Sequence, residues 1–197
     1  MSSTTIVIIG FGAFGRLVEP FLSPHLTVLV CDPCADARRC AQAAGLRAIG
    51  IEDIGCADVV ILAMPVPALE RCVQHLSPFL RKGQVVMDVC SIKEGPARMM
   101  QALLPNDVEI LATHPMFGPQ SAKDGITGLQ IVTCPVRGRQ WRCIVQFLRQ
   151  RLGLHVIITT PEEHDRQAAL TQGLTHLLAR AVDGLAPPRS SGRAAST

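Results

Sequence analysis

A doubly wound parallel sheet of the Rossmann type is indicated by two features of this 197-residue chain. Strand-like apolar runs alternate with amphipathic helical stretches along residues 5–160, an order that builds a parallel sheet with helices on both faces. The first run, Ile6–Ile9, passes directly into a glycine loop, GFGAFG at residues 10–15, and Asp32 follows the second run. A strand, a glycine loop and a later acid are typical of dinucleotide-binding domains.

Seven strands are predicted from continuous apolar or β-branched runs. They are Ile6–Gly10, Thr27–Cys31, Val59–Ala63, Val85–Val89, Ile110–Thr113, Gln130–Thr133 and His155–Thr159. Helices are predicted where apolar residues recur at helical spacing. They are Arg16–Leu22, Asp36–Ala44, Pro67–Leu76, Gly95–Leu103 and Gln140–Arg151.

A longer helical stretch, Pro161–Leu185, follows these elements and starts with a proline and acidic residues, as helices commonly do. We therefore expect a dinucleotide-binding domain over residues 1–160 and one long helix over residues 161–185. The last residues, 186–197, are too poor in apolar side chains to pack, so a disordered tail is expected there.

The glycine loop predicts how a cofactor would be held. Its glycines allow a tight turn and a close approach of the backbone to a pyrophosphate, which would lie at the N-terminus of the following helix. Met64 and Pro65 follow the third predicted strand, where a loop would pack along the same cofactor. The expected cofactor contacts in the glycine loop are Gly10, Phe11, Gly12, Ala13, Phe14 and Gly15.

Asp32 predicts which dinucleotide is preferred. A carboxylate at this place accepts hydrogen bonds from a ribose 2′-OH and repels a 2′-phosphate, so NAD is favoured over NADP. Arg38 and Arg39 follow closely enough to reach a 2′-phosphate, or they form a solvated helix face. NADP therefore stays open as the alternative cofactor.

Composition excludes several classes of partner. The net charge is only +3 and there is no lysine-rich block, so nucleic acid is not an expected partner. No apolar run reaches the roughly 18 residues that a membrane span needs, and the start lacks a signal-peptide pattern. We expect a cytoplasmic protein whose partner is a small-molecule substrate. Its eight cysteines are scattered, so we expect most of them to be reduced core residues, with no metal site.

Ligands of open α/β sheets bind beyond the carboxyl ends of the strands, which directs attention to residues that follow strands. Ser91 and Lys93 follow the fourth predicted strand, and His114 follows the fifth. A neutral imidazole with an ordinary pKa of about 6.5 can accept a proton from a substrate hydroxyl. Spacing alone leaves two interpretations of His114 open, a catalytic base and a histidine that only caps a strand end.

Longer motifs give the chain a family likeness. The glycine loop, the segment Asp88–Lys93 (DVCSIK) and above all His114–Ser121 (HPMFGPQS) resemble the prephenate and arogenate dehydrogenases of tyrosine biosynthesis, especially the plant-like arogenate branch. Residues 163–165 and 171–176 resemble the start of that family's helical dimerisation domain. The resemblance implies an oxidative decarboxylation, in which a hydride goes to the nicotinamide, carbon dioxide leaves and the ring becomes aromatic.

The same resemblance implies roles for individual residues. His114 would accept the proton of the ring hydroxyl, and Ser91 would bond the same hydroxyl close to the nicotinamide. Lys93 would help to hold the cofactor or its loop. The remaining residues implied to contact substrate are Gly118, Gln120 and His176.

The chain departs from the family pattern in two ways. Gln120 stands where an acid is common, so one charge is absent beside the expected site. Members also continue with further helices, which form the dimer and supply an arginine for a substrate carboxylate, and Arg180 cannot be matched to that arginine. We therefore expect a truncated helical domain, with a homodimer through residues 161–185 as one way to complete the site.

Two hypotheses follow for the function. The first is an NAD(P)-dependent dehydrogenase that acts on prephenate or arogenate. The alternative is a truncated, catalytically weak dinucleotide-binding protein, a regulator or a relic. A β-hydroxyacid dehydrogenase would need a catalytic lysine on the helix at residues 161–185, which contains none.

Overall fold

The computed structural model of the chain describes residues 4–171 and Arg180. Its centre is one eight-stranded sheet in the order β3-β2-β1-β4-β5-β6-β7-β8. The strands are β1 (Thr5–Ile9), β2 (Thr27–Cys31), β3 (Arg47–Ala48), β4 (Val59–Leu62), β5 (Val85–Asp88), β6 (Glu109–Pro115), β7 (Gln130–Arg137) and β8 (His155–Ile158). The helices are α1 (Ala13–Leu22), α2 (Ala35–Ala43), α3 (Val66–Leu76), α4 (Glu94–Leu103), α5 (Trp141–Gln150) and α6 (residues 161–171).

Helices cover both faces of the sheet, which explains why the strands read as continuous apolar runs. Adjacent residues of β1 illustrate this, because Val7 and Ile8 are both fully buried and belong to different core clusters. Val7 lies in the cluster that includes α3 and α4, and Ile8 lies in the cluster that includes α1 and α5. The predicted Rossmann-type sheet is thereby confirmed.

The strand order reverses direction beside β1, since β2 lies on one side of it and β4 on the other. Both neighbours run parallel to β1. Such a reversal leaves a crevice beyond the carboxyl ends of the two central strands, and open α/β sheets bind their ligands there. The glycine loop follows β1 directly and therefore lies at this crevice.

Two features of the sheet differ from the prediction. β3 was not predicted, because a two-residue edge strand is too short to show periodicity. β7 pairs antiparallel with β6, whereas a parallel sheet was expected. The connection at residues 116–129 contains no helix in the structure, and a parallel crossover usually needs one, so the chain turns back along its neighbour.

The cysteines correct a second expectation. All eight are free, but only Cys31, Cys90 and Cys134 are buried. The exposed ones are Cys34, Cys40, Cys56 and Cys143. The prediction that most of them belong to the core was therefore wrong, because several lie on the solvent faces of helices and turns. Within residues 4–171, no group of three or more histidine, cysteine or acidic side chains is arranged to hold a metal ion.

The helix predicted from Pro161 does begin at residue 161, and it is described as far as residue 171. His176 lies outside the described residues, as do most of the predicted 161–185 helix and the 186–197 tail. The division into two domains and a tail stays a prediction. In the described part of the chain, no helix is both long and apolar enough to cross a membrane.

Candidate active site

The glycine loop has the geometry that a dinucleotide pyrophosphate requires. Gly10 has a φ of +99°, and a side chain there would collide with the carbonyl oxygen of Ala63, the residue that follows β4. A side chain at Gly15 would collide with the carbonyl oxygen of Gly10, so this glycine lets α1 approach the loop. A Cβ at Gly12 would meet no protein atom within 4 Å. The open space is therefore at the glycine that begins α1, where unpaired backbone N–H groups attract anions.

Asp32 lies one residue beyond β2 and ties that strand end to the glycine loop. Its Oδ2 accepts a hydrogen bond of 2.7 Å from the backbone N–H of Phe11, and its Oδ1 accepts one of 2.8 Å from Cys34. The residue is only half-buried. A carboxylate offers about four lone-pair positions, so two remain for ribose hydroxyls. The glycine loop thus positions the Asp32 carboxylate, which was predicted to bind the ribose of the same dinucleotide.

The two arginines considered for a 2′-phosphate are engaged in different ways. Arg38 donates from one nitrogen to the carbonyl oxygens of Asp32 and Pro33, at 2.8 Å each. Arg39 pairs with Asp36 on the exposed side of α2. Arg38 thereby stabilises the turn next to the predicted ribose site, whereas Arg39 belongs to a solvated helix face.

The neighbouring strand ends bring further predicted residues to the same edge of the sheet. Met64 and Pro65 follow β4, and Pro65 caps the start of α3. Ser91 is exposed three residues beyond the end of β5. Because Asp88 of β5 pairs with Ala112 of β6, His114 emerges beside this segment.

The loop at residues 116–129 joins β6 to β7 and packs against the glycine loop. Its Phe117 is buried against Phe14 in the first turn of α1, with ring centroids 6.3 Å apart. Gly118 forms a tight turn in which its N–H donates to the Ser121 hydroxyl over 3.0 Å. Gln120 lies exposed in the same turn. The predicted substrate loop therefore packs directly on the predicted cofactor loop.

His114 lies at one end of a row of hydrogen-bonded side chains that the sequence did not reveal. Its Nδ1 lies 3.0 Å from Nε2 of His164, and Nδ1 of His164 lies 2.7 Å from Oδ1 of Asp165. Both partners belong to the first turns of α6. Among the described residues, none hydrogen-bonds the Nε2 of His114.

The surroundings keep this imidazole neutral. Burial lowers the pKa of His114 to about 4, and the electrostatic interactions of its ring with His164 and Lys93 act in the same direction. Asp165 acts in the opposite direction but does not outweigh them. At neutral pH the ring is therefore unprotonated on one nitrogen, as a proton acceptor must be.

Lys93 was predicted to help hold the cofactor or its loop, and its side chain lies in the interior of the domain. The side chain is fully buried, and its Nζ forms an ion pair with Asp88 and donates to the carbonyl oxygen of Thr113 over 2.6 Å. A buried ammonium needs such partners, since leaving it unpaired would be very costly. Lys93 thus links β5 to β6 at the residue that precedes His114, and its ammonium group is occupied by these two contacts.

Sequence reasoning therefore missed His164, Asp165 and Asp88 as members of the site. The adjacent histidine and aspartate at the start of α6 were used only as a family motif. A possible signal was available, because two titratable side chains in the first turn of a helix that follows the last strand can reach the sheet edge. Asp88 carried a weaker signal, since an acid that ends an apolar strand must find a buried partner.

Comparisons with known proteins identify the family of the chain. Residues 24–151 match the family model of the prephenate dehydrogenase nucleotide-binding domain. Arogenate dehydrogenase 2 of Arabidopsis thaliana, a chloroplastic protein, is 34% identical over 92% of the chain. Cyclohexadienyl dehydrogenase of Zymomonas mobilis is 27% identical over 91% of the chain. The chain spans 54% of the Arabidopsis protein and 66% of the Zymomonas protein.

Solved structures show the same fold at lower identity. Synechocystis arogenate dehydrogenase superposes with a TM-score of 0.78 at 17% identity, over 96% of this chain and 71% of the other. Prephenate dehydrogenase of A. aeolicus, solved with NAD⁺ and hydroxyphenyl propionate, has a TM-score of 0.73 at 19% identity, over 95% of this chain and 72% of the other. Because the family model matches well over half of the residues, the chain belongs to the prephenate dehydrogenase family and carries its nucleotide-binding domain.

Proposed function

We propose that the chain acts as an NAD(P)-dependent dehydrogenase in tyrosine biosynthesis, oxidatively decarboxylating prephenate or arogenate. The observation that supports this most strongly is the neutral His114 at the end of β6, whose Nε2 is hydrogen-bonded by no described residue, beside the loop that packs on the glycine loop. A base next to a hydride acceptor is what this reaction needs. The names of the relatives support the same substrate class.

The residues around the crevice fit a dinucleotide. Gly12 leaves open space at the start of α1, and Asp32 keeps acceptor positions for a ribose. The nicotinamide, when bound, supplies the hydride acceptor. NAD is the proposed cofactor because the Asp32 carboxylate repels a 2′-phosphate, and NADP is the alternative because Arg38 lies beside the same turn.

His114 and Ser91 have complementary parts in the proposed reaction. The substrate's ring hydroxyl gives its proton to Nε2 of His114 and becomes a carbonyl as the hydride leaves the same carbon. The C–CO₂⁻ bond then breaks, carbon dioxide departs, and its electron pair completes the aromatic ring while the carbonyl regains a proton as the phenol. The exposed Ser91 hydroxyl holds the reacting oxygen in place. Positioning and proton acceptance are the main tasks, because aromatisation supplies much of the driving force.

The position of Lys93 shapes the proposal for substrate binding. Both proposed substrates are anions, but the ammonium group of Lys93 is already paired with Asp88 in the interior of the domain. A cation for the substrate carboxylate therefore has to come from elsewhere than this lysine. His176 and a homodimer through residues 161–185 stay predictions for how the substrate side is completed.

The direct test is reduced-nicotinamide absorbance with the purified chain and each combination of NAD or NADP with prephenate or arogenate. Turnover with one combination supports the proposal and identifies cofactor and substrate together. Bound NAD, measured by calorimetry, with no turnover in any combination would contradict it and favour the alternative of a catalytically weak dinucleotide-binding protein. Asp32→Asn serves as the cofactor control. It retains an oxygen that can accept from a backbone N–H but removes the negative charge, so the ratio of kcat/KM with NAD to that with NADP should fall.

A further inference from the structure

We propose that His164 is a positioning residue, which Asp165 holds so that His114 carries its proton on Nδ1 and presents Nε2 as a free acceptor. The consequence for catalysis rests on the proposed function. The arrangement of protons itself does not, because it follows from the contacts within the folded chain.

The order of the contacts fixes the direction of each hydrogen bond. Asp165 as a carboxylate can only accept, so the proton between it and His164 sits on Nδ1 of His164. The proposed arrangement gives His164 this single ring hydrogen, so its Nε2 keeps a lone pair. The 3.0 Å contact to His114 can form only if Nδ1 of His114 donates the proton. Nε2 of neutral His114 is thereby left without hydrogen.

Asp165 is itself firmly held. Its Oδ1 also accepts from the backbone N–H of Lys93 over 2.8 Å, and its Oδ2 accepts from that of Glu94 over 2.9 Å. Both N–H groups open α4. Burial would raise the pKa of Asp165, but the hydrogen bonds from Glu94, His164 and Lys93 together lower it, so this group stays a carboxylate.

The hydrogen bonds of Asp165, His164 and His114 join three elements at the site. They connect the start of α4, the first turns of α6 and the end of β6. The two imidazole rings meet edge to face, with centroids 5.1 Å apart and an interplanar angle of 76°. His164 is only 6% exposed, so water does not compete for its ring. The geometry is that of an oriented base supported by a second group, which sets the tautomer of the first.

The test is a long-range ¹H–¹⁵N correlation spectrum of the full chain with ¹⁵N-labelled histidine at pH 7. This spectrum distinguishes Nδ1–H from Nε2–H, and His114→Gln assigns the signal among the six histidines. We expect the Nδ1–H form for His114, the opposite of the form that a free imidazole prefers in water. An Nε2–H or rapidly averaged signal in the unmodified chain would overturn the proposal.

Two variants separate the hydrogen bond from the packing. His164→Phe keeps a flat ring but offers no acceptor, so His114 should revert to the Nε2–H form. His164→Gln can place its carbonyl oxygen close to the lost Nε2, so the Nδ1–H form should be retained. His155→Phe, an exposed histidine on β8, is the control and should leave the signal unchanged. Retention of the Nδ1–H form in His164→Phe would also overturn the proposal.

Turnover provides a separate measurement. In an active chain, His164→Phe should lower kcat by about 10- to 100-fold with little change in the KM for the cofactor, and His164→Gln should recover part of the loss. Equal losses in the two variants would contradict a hydrogen-bonding role. A chain without any turnover would defeat the proposed function, while the spectrum would still decide the arrangement of the two histidines.

Discussion

The two halves of the candidate site are built in different ways. The cofactor half consists of the glycine loop and Asp32, within one β1–α1–β2 unit, and it depends mainly on backbone shape. The chemical half joins side chains of β5, β6, α4 and α6, with His114 and His164 separated by 50 residues. The cofactor half can therefore be specified by one short stretch of sequence, whereas the proposed proton transfer depends on contacts between distant parts of the chain. Substitutions in the two halves should fail in different ways.

The largest effect is expected in the chemical half. His114→Ala should lower turnover by on the order of 10²–10⁴, because the general base is lost, while NAD affinity changes little. Steady-state kinetics and calorimetric NAD binding measure the two quantities. An unchanged rate would remove His114 from the mechanism, and a parallel loss of NAD affinity would mean that the two halves are not separable.

Lys93→Met should be a folding defect and not a cofactor defect. It leaves the buried Asp88 carboxylate without its ion-pair partner, which costs about 3–5 kcal/mol in comparable sites. Urea unfolding measures the loss. The double variant Asp88→Asn with Lys93→Met should recover part of it, because no charge is then left unpaired. Unchanged stability with weakened NAD binding would restore the cofactor role that the structure argues against.

Within the cofactor half, two glycines should separate binding from folding. Gly12→Ala should leave stability nearly unchanged but weaken NAD binding by about tenfold or more, roughly 1.4 kcal/mol, because its methyl group enters the open space. Gly10→Ala is the matched variant and should destabilise the fold, because its φ of +99° and the Ala63 carbonyl exclude a side chain. Thermal unfolding and calorimetry give both quantities, and the reverse pattern would contradict this assignment.

The last effect is expected in the pH dependence of stability, again in the chemical half. The pKa of His114 is about 4 in the folded chain and about 6.5 when unfolded, so the unfolded state binds more protons between these values. This contribution to stability is complete above about pH 6.5 and is lost as the pH falls through 4. Urea midpoints at pH 4.5 and 7 should therefore differ more for the unmodified chain than for His114→Gln. An equal difference would show that His114 is not held neutral by the fold.

Much of the architecture could be predicted from local patterns. Seven strands and five helices were placed within a few residues, because each buried strand is a continuous apolar run and each helix has an apolar face. The Rossmann topology followed from their alternation. β3 could not be predicted, since two residues carry no period, and neither could the antiparallel course of β7, which depends on how the loop at residues 116–129 folds back.

The site divides in the same way. The spacing of the glycines and Asp32 was sufficient to predict the cofactor half, because its shape is set mainly by dihedral angles and backbone contacts of one short unit, to which the Ala63 carbonyl adds a contact beside Gly10. The partners of His114 and the burial of Lys93 appear only in the folded chain. A side chain's partner and pKa depend on what surrounds it in space, and those surroundings come from elements that are far apart in the sequence.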